Sequence, residues 1–307
     1  MILSALALAV SQAPAASQEA PICQRELVVL GAGQDAGAPQ IGNADDDGPR
    51  LLPSSLAVID RENGQRFLFD ASPAISEQLA MLDAIAPPKD GLGLDGIFLT
   101  HAHIGHYLGL AYLGREAAGA SNVPVYAMPR MAEFLRTNGP WSQLVSLGNI
   151  ELREMTADGF VVTSDEFGVL PFSVPHRDEY SETVGFVLMT PDRRAIYLPD
   201  IDSWEAFLDQ ENGEPEALVA GIDYLFVDAT FYDDDELPGR DMSKIPHPRV
   251  IETMEALKQL TASDHAKVHF IHYNHTNPIR DPDSAESREA KAKGFNIARR
   301  GDRFCLD

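Results

Sequence analysis

Gly96-Ile97-Phe98-Leu99-Thr100-His101-Ala102-His103-Ile104-Gly105-His106 runs from an apolar stretch straight into three imidazoles. A short apolar run that starts after a glycine and ends in polar residues reads as a buried strand. Alternate residues of an extended chain point the same way, so His101 and His103 can converge on one ion. His106, a turn further on, approaches the same cleft from another side. Neutral imidazole is the commonest metal-binding side chain and suits zinc, iron, nickel and copper.

Working outward, the same event recurs: a strand that ends in His or Asp. Apolar patterning predicts strands over 27–30, 55–59, 66–69, 123–127, 170–174, 184–190, 195–198, 223–227 and 268–271. Two of them lead directly into Asp70 and His272, two reach His176 and Asp200 across Pro175 and Pro199, and 223–227 leads into Asp228. Helices are expected after Ser72-Pro73, over 107–118, from Pro129, over 248–260 and over 284–293. This alternation predicts one layered α/β domain with its ligands along one sheet edge. The loop Gly31-Ala32-Gly33-Gln34-Asp35-Ala36-Gly37 lacks the GxGxxG fingerprint, and Asp35 opposes a phosphate.

Of 307 residues, 44% are hydrophobic and 23% charged, which excludes disordered and fibrous classes. The net charge of −23 argues against nucleic acid or anionic membranes as partners and leaves a small-molecule substrate. Ile2 to Val10 is apolar and is followed by Ala13-Pro14-Ala15, the layout of a cleaved secretory leader, although no Lys or Arg precedes it. Residues 1–20 are therefore expected to be a leader and tail, 21–307 the domain, and the protein periplasmic or secreted, with no membrane span. Cys23 and Cys305 lie near opposite ends: export permits a disulfide, and two inert thiols are the alternative.

The motif His101-Ala102-His103-Ile104-Gly105-His106 resembles the HxHxDH signature of the metallo-β-lactamase superfamily, with Asp70, His176, Asp200 and His272 at the other motif positions. The resemblance implies an αββα sandwich with metals at one edge between two sheets. It also implies a first metal site of His101, His103 and His176, and a second of His106, a bridging Asp200 and His272. Gly105 stands where the family has aspartate, so a second site that is weak, empty or rebuilt is expected. Asp35, Asp202 and His275 are the candidate substitutes; Gly105 could also leave room for a water or substrate oxygen.

Within the superfamily, the chain is similar to the pyrroloquinoline quinone biosynthesis protein B family. The likeness covers Val29-Leu30-Gly31 with Pro39-Gln40, Pro49-Arg50 with Ser54-Ser55, Asp70-Ala71-Ser72-Pro73 and Gly239-Arg240-Asp241-Met242. It is most specific at Phe270-Ile271-His272-Tyr273-Asn274-His275-Thr276-Asn277-Pro278. That resemblance implies oxidative maturation of a tyrosine-derived quinone precursor with non-haem iron. Typical members are cytoplasmic and lack first-site histidines that are present here.

Three functions follow. The His set with Asp200 predicts a metal-dependent hydrolase using one or two zinc ions on a small ester, lactone, amide or phosphodiester. Metal lowers the pKa of its water toward about 7, Asp200 would orient the hydroxide, and His247 or His275 would protonate the leaving group. The alternative is a 2-His-1-carboxylate iron(II) oxygenase or an accessory protein of quinone biosynthesis. The third is a non-catalytic quinone or metal carrier. His247 can also simply precede its helix, while Asp70 and Asp228 are expected to orient ligand histidines from behind.

Overall fold

The computed structural model describes residues 23–307 apart from 165 and 212, so the expected leader lies outside the described residues. The strands are β1 (Arg25–Gly31), β2 (Ser55–Asp60), β3 (Gln65–Phe69), β4 (Gly96–Phe98), β5 (Val123–Ala127), β6 (Ile150–Glu154) and β7 (Val161–Ser164). They continue with β8 (Phe167–Ser173), β9 (Val184–Met189), β10 (Arg194–Leu198), β11 (Tyr224–Asp228), β12 (Val268–Ile271), β13 (Asn296–Ile297) and β14 (Arg303–Cys305). Two seven-stranded sheets result, ordered β14-β1-β2-β3-β4-β5-β6 and β13-β12-β11-β10-β9-β8-β7.

Both sheets are assembled alike, although the sequence carries no internal repeat. In the first, β14 to β3 pair antiparallel and β3 to β6 parallel. In the second, β7 to β10 pair antiparallel and β10 to β13 parallel. Parallel strands are normally covered on both faces and read as continuous apolar runs, as in Leu225-Phe226-Val227 of β11, which is fully buried.

An aromatic seam joins the sheets. The Phe69 and Phe98 rings of the first sheet lie 5.7 and 5.9 Å from Phe186 of the second, and Phe67 lies 5.3 Å from Phe167. Truncating such a buried ring typically costs about 3–5 kcal/mol. Helix Ile75–Ile85 packs on β1, helices Pro129–Thr137 and Trp141–Ser146 on β6, and helix Ala285–Ala292 on β13. The architecture is the expected αββα sandwich, and no helix among the described residues is long and apolar enough to cross a membrane.

Some local expectations need correction. Residues 107–118 do not form one helix: a short helix Ile104–Tyr107 passes into a 3-10 turn, Leu108–Leu113. Gly109 sits against the Ala71-Ser72 backbone, where a Cβ would come within 2.1 Å of the Ser72 carbonyl oxygen, and its N–H donates to the Ala71 carbonyl. The helix after Pro73 begins at Ile75, while Ser72 Oγ accepts from the Ala74 N–H. β6, with exposed Glu151 and Glu154, carries no apolar run to announce it.

Candidate metal centre

Most residues of the site sit just beyond the carboxyl end of a strand, on the sheet edge where both sheets finish. β3 delivers Asp70, β4 delivers His101 and His103, β8 delivers His176, β10 delivers Asp200 and β12 delivers His272. His106 comes from the short helix that follows. His101, His106 and His272 are each only 1% exposed.

The structure brings all six predicted metal residues together. One nitrogen each from His101, His103 and His176 falls within 4.8 Å of the others, and so do single atoms of Asp35, His106 and His272. Asp200 lies between the two groups. Its Oδ2 is 3.2 Å from His106 Nε2 and 3.4 Å from His272 Nε2, whereas its Oδ1 is 3.7 Å from His176 Nε2.

Partners on the outer side of the rings favour an outer N–H and an inward-facing second nitrogen. His106 Nδ1–H donates to Asp70 Oδ2 at 2.7 Å, and His176 Nδ1–H to Asp202 Oδ1 at 3.1 Å. Thr100 gives its hydroxyl proton to Asp70 and Thr230 gives its own to Asp228, so each oxygen accepts from a neighbouring ring. Those rings are His101 and His272, through Nδ1, at 3.0 and 3.1 Å. His103 Nε2–H donates to Glu179 at 3.2 Å.

The inward nitrogens of His101, His176 and His272 are then free to offer a lone pair. His101 Nε2 and His103 Nδ1 face one another at 2.8 Å. The buried Nε2 atoms of His106, His176 and His272, and Asp200 Oδ2, have no hydrogen-bond partner. Buried polar atoms are otherwise nearly always paired, and rings whose outer N–H is held by a carboxylate or hydroxyl characterise metal ligands. The residues present therefore fit a bound cation.

Electrostatics agree. Burial, with His106 nearby, pushes the His101 pKa well below the ordinary imidazole value, and burial lowers His176 to about 4. Burial also lowers His272, so these rings are neutral donors at neutral pH. His106 is the exception: burial opposes its charge, yet Asp70 and Asp200 together hold its pKa well above ordinary, so a cation bound there would displace its proton. Asp200 is also held ionised: burial acts against it, but His272, His106 and His101 draw its pKa well below the carboxylate range.

His247 lines the same cradle, its ring 5.1 Å from that of His176, with Nδ1 held by Asp228 Oδ2 at 2.7 Å. Asp70 stands behind His106 as expected. Asp228, by contrast, holds His247, which is outside the predicted metal set, and reaches His272 only through Thr230. His275 is not gathered into the cradle: its Nδ1 meets Asn274 Oδ1 and its Nε2 meets Asn43. Gly105 leaves no room for a water, because Asp35 fills the space beside it. Thr100, Thr230 and Glu179 carried no signal in the sequence beyond their neighbourhood to the histidines.

Fold and cluster define a class, and the match to the β-lactamase superfamily domain over residues 65–273 agrees: the chain belongs to that superfamily. Within it, coenzyme PQQ synthesis protein B of Methylococcus capsulatus is 29% identical over 307 aligned positions, covering 88% of this chain and 96% of the relative. The chain is thus PqqB-like. The structure of zinc-bound PqqB from Methylobacterium extorquens superposes with TM-score 0.72 at 21% identity, over 92% of this chain and 100% of that one. A diphosphatase of the PhnP family superposes with TM-score 0.64 at 22% identity, over 91% of this chain and 96% of that one.

Proposed function

We propose that this PqqB-like protein is an exported, metal-dependent hydrolase of a small ester, lactone, amide or phosphodiester. The observation that carries the proposal is the convergence of buried imidazole nitrogens without hydrogen-bond partners on both oxygens of Asp200. His101, His103 and His176 would hold one ion; His106, His272 and the shared Asp200 would hold a second. Zinc suits this nitrogen-and-carboxylate donor set, and a zinc-bound relative of the same fold supports it. Bound metal supplies Lewis acidity and a more acidic water.

The chain's own residues do the rest. Asp200 is ionised and accepts a hydrogen bond from the attacking water, which turns the water's lone pair toward the substrate. His247, held at Nδ1 by Asp228, presents Nε2 as proton donor to the leaving group. The water's oxygen bonds to the acyl or phosphoryl centre while its proton passes to Asp200, and the bond to the leaving group breaks as that group takes a proton from His247. His275 is less suited, since both its ring nitrogens are engaged.

The bond between Cys23 and Cys305, which ties the chain ends together, supports export to an oxidising compartment. Cell fractionation should find the mature chain outside the cytoplasm; a fully reduced cytoplasmic pool would contradict export.

A second reading has its own observation: Asp35, His106 and His272 are two imidazoles and one carboxylate, the iron(II) oxygenase donor set. With PQQ-synthesis relatives, this points to oxidative work on a quinone precursor. Elemental analysis of anaerobically purified protein separates the two, together with screening of nitrophenyl esters, lactones and phosphodiesters. Zinc with chelator-sensitive hydrolysis is the expected result, with hydrolysis and one equivalent of zinc lost in His101→Ala. Iron lost in His272→Ala, with no hydrolysis by zinc-loaded protein, would transfer the function to the second reading.

A further inference from the structure

We propose that Asp35, on the loop after β1, supplies the second metal position with the carboxylate that Gly105 cannot. The proposal rests on the metal reading above and deepens it by assigning one ligand.

Gly105 is a glycine for want of space. Its φ is not in the left-handed region, so its backbone does not demand glycine. A Cβ built on it would fall 2.5 Å from Asp35 Cα and 2.8 Å from Asp35 Oδ1. Any side chain at 105 and the present position of Asp35 are therefore mutually exclusive.

Asp35 is held there firmly. Its φ of 33° is a left-handed conformation that a non-glycine residue adopts only when its surroundings enforce it. The Gly37 N–H donates to the Gln34 carbonyl at 2.7 Å and closes the turn around it. The Gln34 N–H donates to the Tyr273 carbonyl, and the Tyr273 N–H to the Ala32 carbonyl. Tyr273 follows His272 directly, so the loop carrying Asp35 and the strand end carrying His272 are sewn together. The Gly105 N–H donates to Asp35 Oδ1 at 3.3 Å, which links the loop to the segment carrying His106.

An acidic side chain alone would signify little. Here a carboxylate oxygen of Asp35 lies within 4.8 Å of ring nitrogens of both His106 and His272. The Nε2 atoms of those two rings are buried and have no hydrogen-bond partner. The rival substitutes are committed elsewhere: Asp202 backs His176, and His275 is bonded by Asn43 and Asn274. Placing the carboxylate on the loop restores the second position's negative charge.

Zinc chloride titrated into the full-length mature chain, read by calorimetry and by elemental analysis after dialysis, tests this. Wild type should bind two equivalents. Asp35→Asn, close to isosteric, should keep one and bind the second at least about 100-fold more weakly, with the unfolding temperature of the metal-free protein unchanged. Asp35→Asn that still binds two with unchanged affinity overturns the assignment and leaves the metal reading standing. So does loss of both ions together in that variant. Wild type that binds fewer than two ions overturns both this assignment and the second metal position.

Discussion

The two halves of the cradle are built differently. The group His101, His103 and His176 draws two of its three nitrogens from one short segment and contains no charge of its own. The group Asp35, His106 and His272 gathers three distant segments, includes a carboxylate and has Asp70 buried behind it. The first is specified by strand alternation, a local property. The second depends on tertiary contacts between loops.

Asp200 belongs to both halves, so its removal should have the largest effect. Asp200→Ala is expected to lose both ions and to cut hydrolysis by about a thousandfold or more, roughly 4 kcal/mol, measured by kcat/KM with metal content. Retention of two ions would break the comparison at its centre. Next come single-half variants: His101→Ala and His272→Ala should each lose one equivalent, and elemental analysis should show that the lost ions differ.

Smaller effects should come from the residues behind the rings, where such changes typically cost about 10–100-fold in metal affinity. Asp70→Asn should fall near the upper end, on the His106 side, because Asp70 is fully buried and also receives Tyr197 and Thr100. Asp202→Asn should fall near or below the lower end, on the His176 side, because its side chain is 38% exposed and water can replace it. Equal effects from the two would remove the asymmetry between the halves. Cys23→Ser should leave metal content unchanged while stability falls by about 2–5 kcal/mol, as measured by denaturant unfolding.

Most of this arrangement was legible in the residues. The HxHxxH segment and the strand-end residues Asp70, His176, Asp200 and His272 could be read because a buried strand is an apolar run and ligands gather at its carboxyl end. The choice among Asp35, Asp202 and His275 could not. It depends on which loop crosses Gly105, and no linear pattern encodes a contact between residues 35 and 105. The hydroxyls of Thr100 and Thr230 were silent for the same reason, since a threonine that relays a hydrogen bond looks like any other. β6 escaped because it is an exposed edge strand, and the helix expected over 107–118 failed at Gly109, where close packing against Ser72 tightens the turn.

The most direct test of the whole account is anomalous diffraction at the zinc edge from crystals of the mature protein loaded with zinc. Two peaks are expected on either side of Asp200, one bonded by His101, His103 and His176 and the other by His106, His272 and Asp35. A cradle without a zinc peak, with its histidine nitrogens still facing one another, would contradict the account.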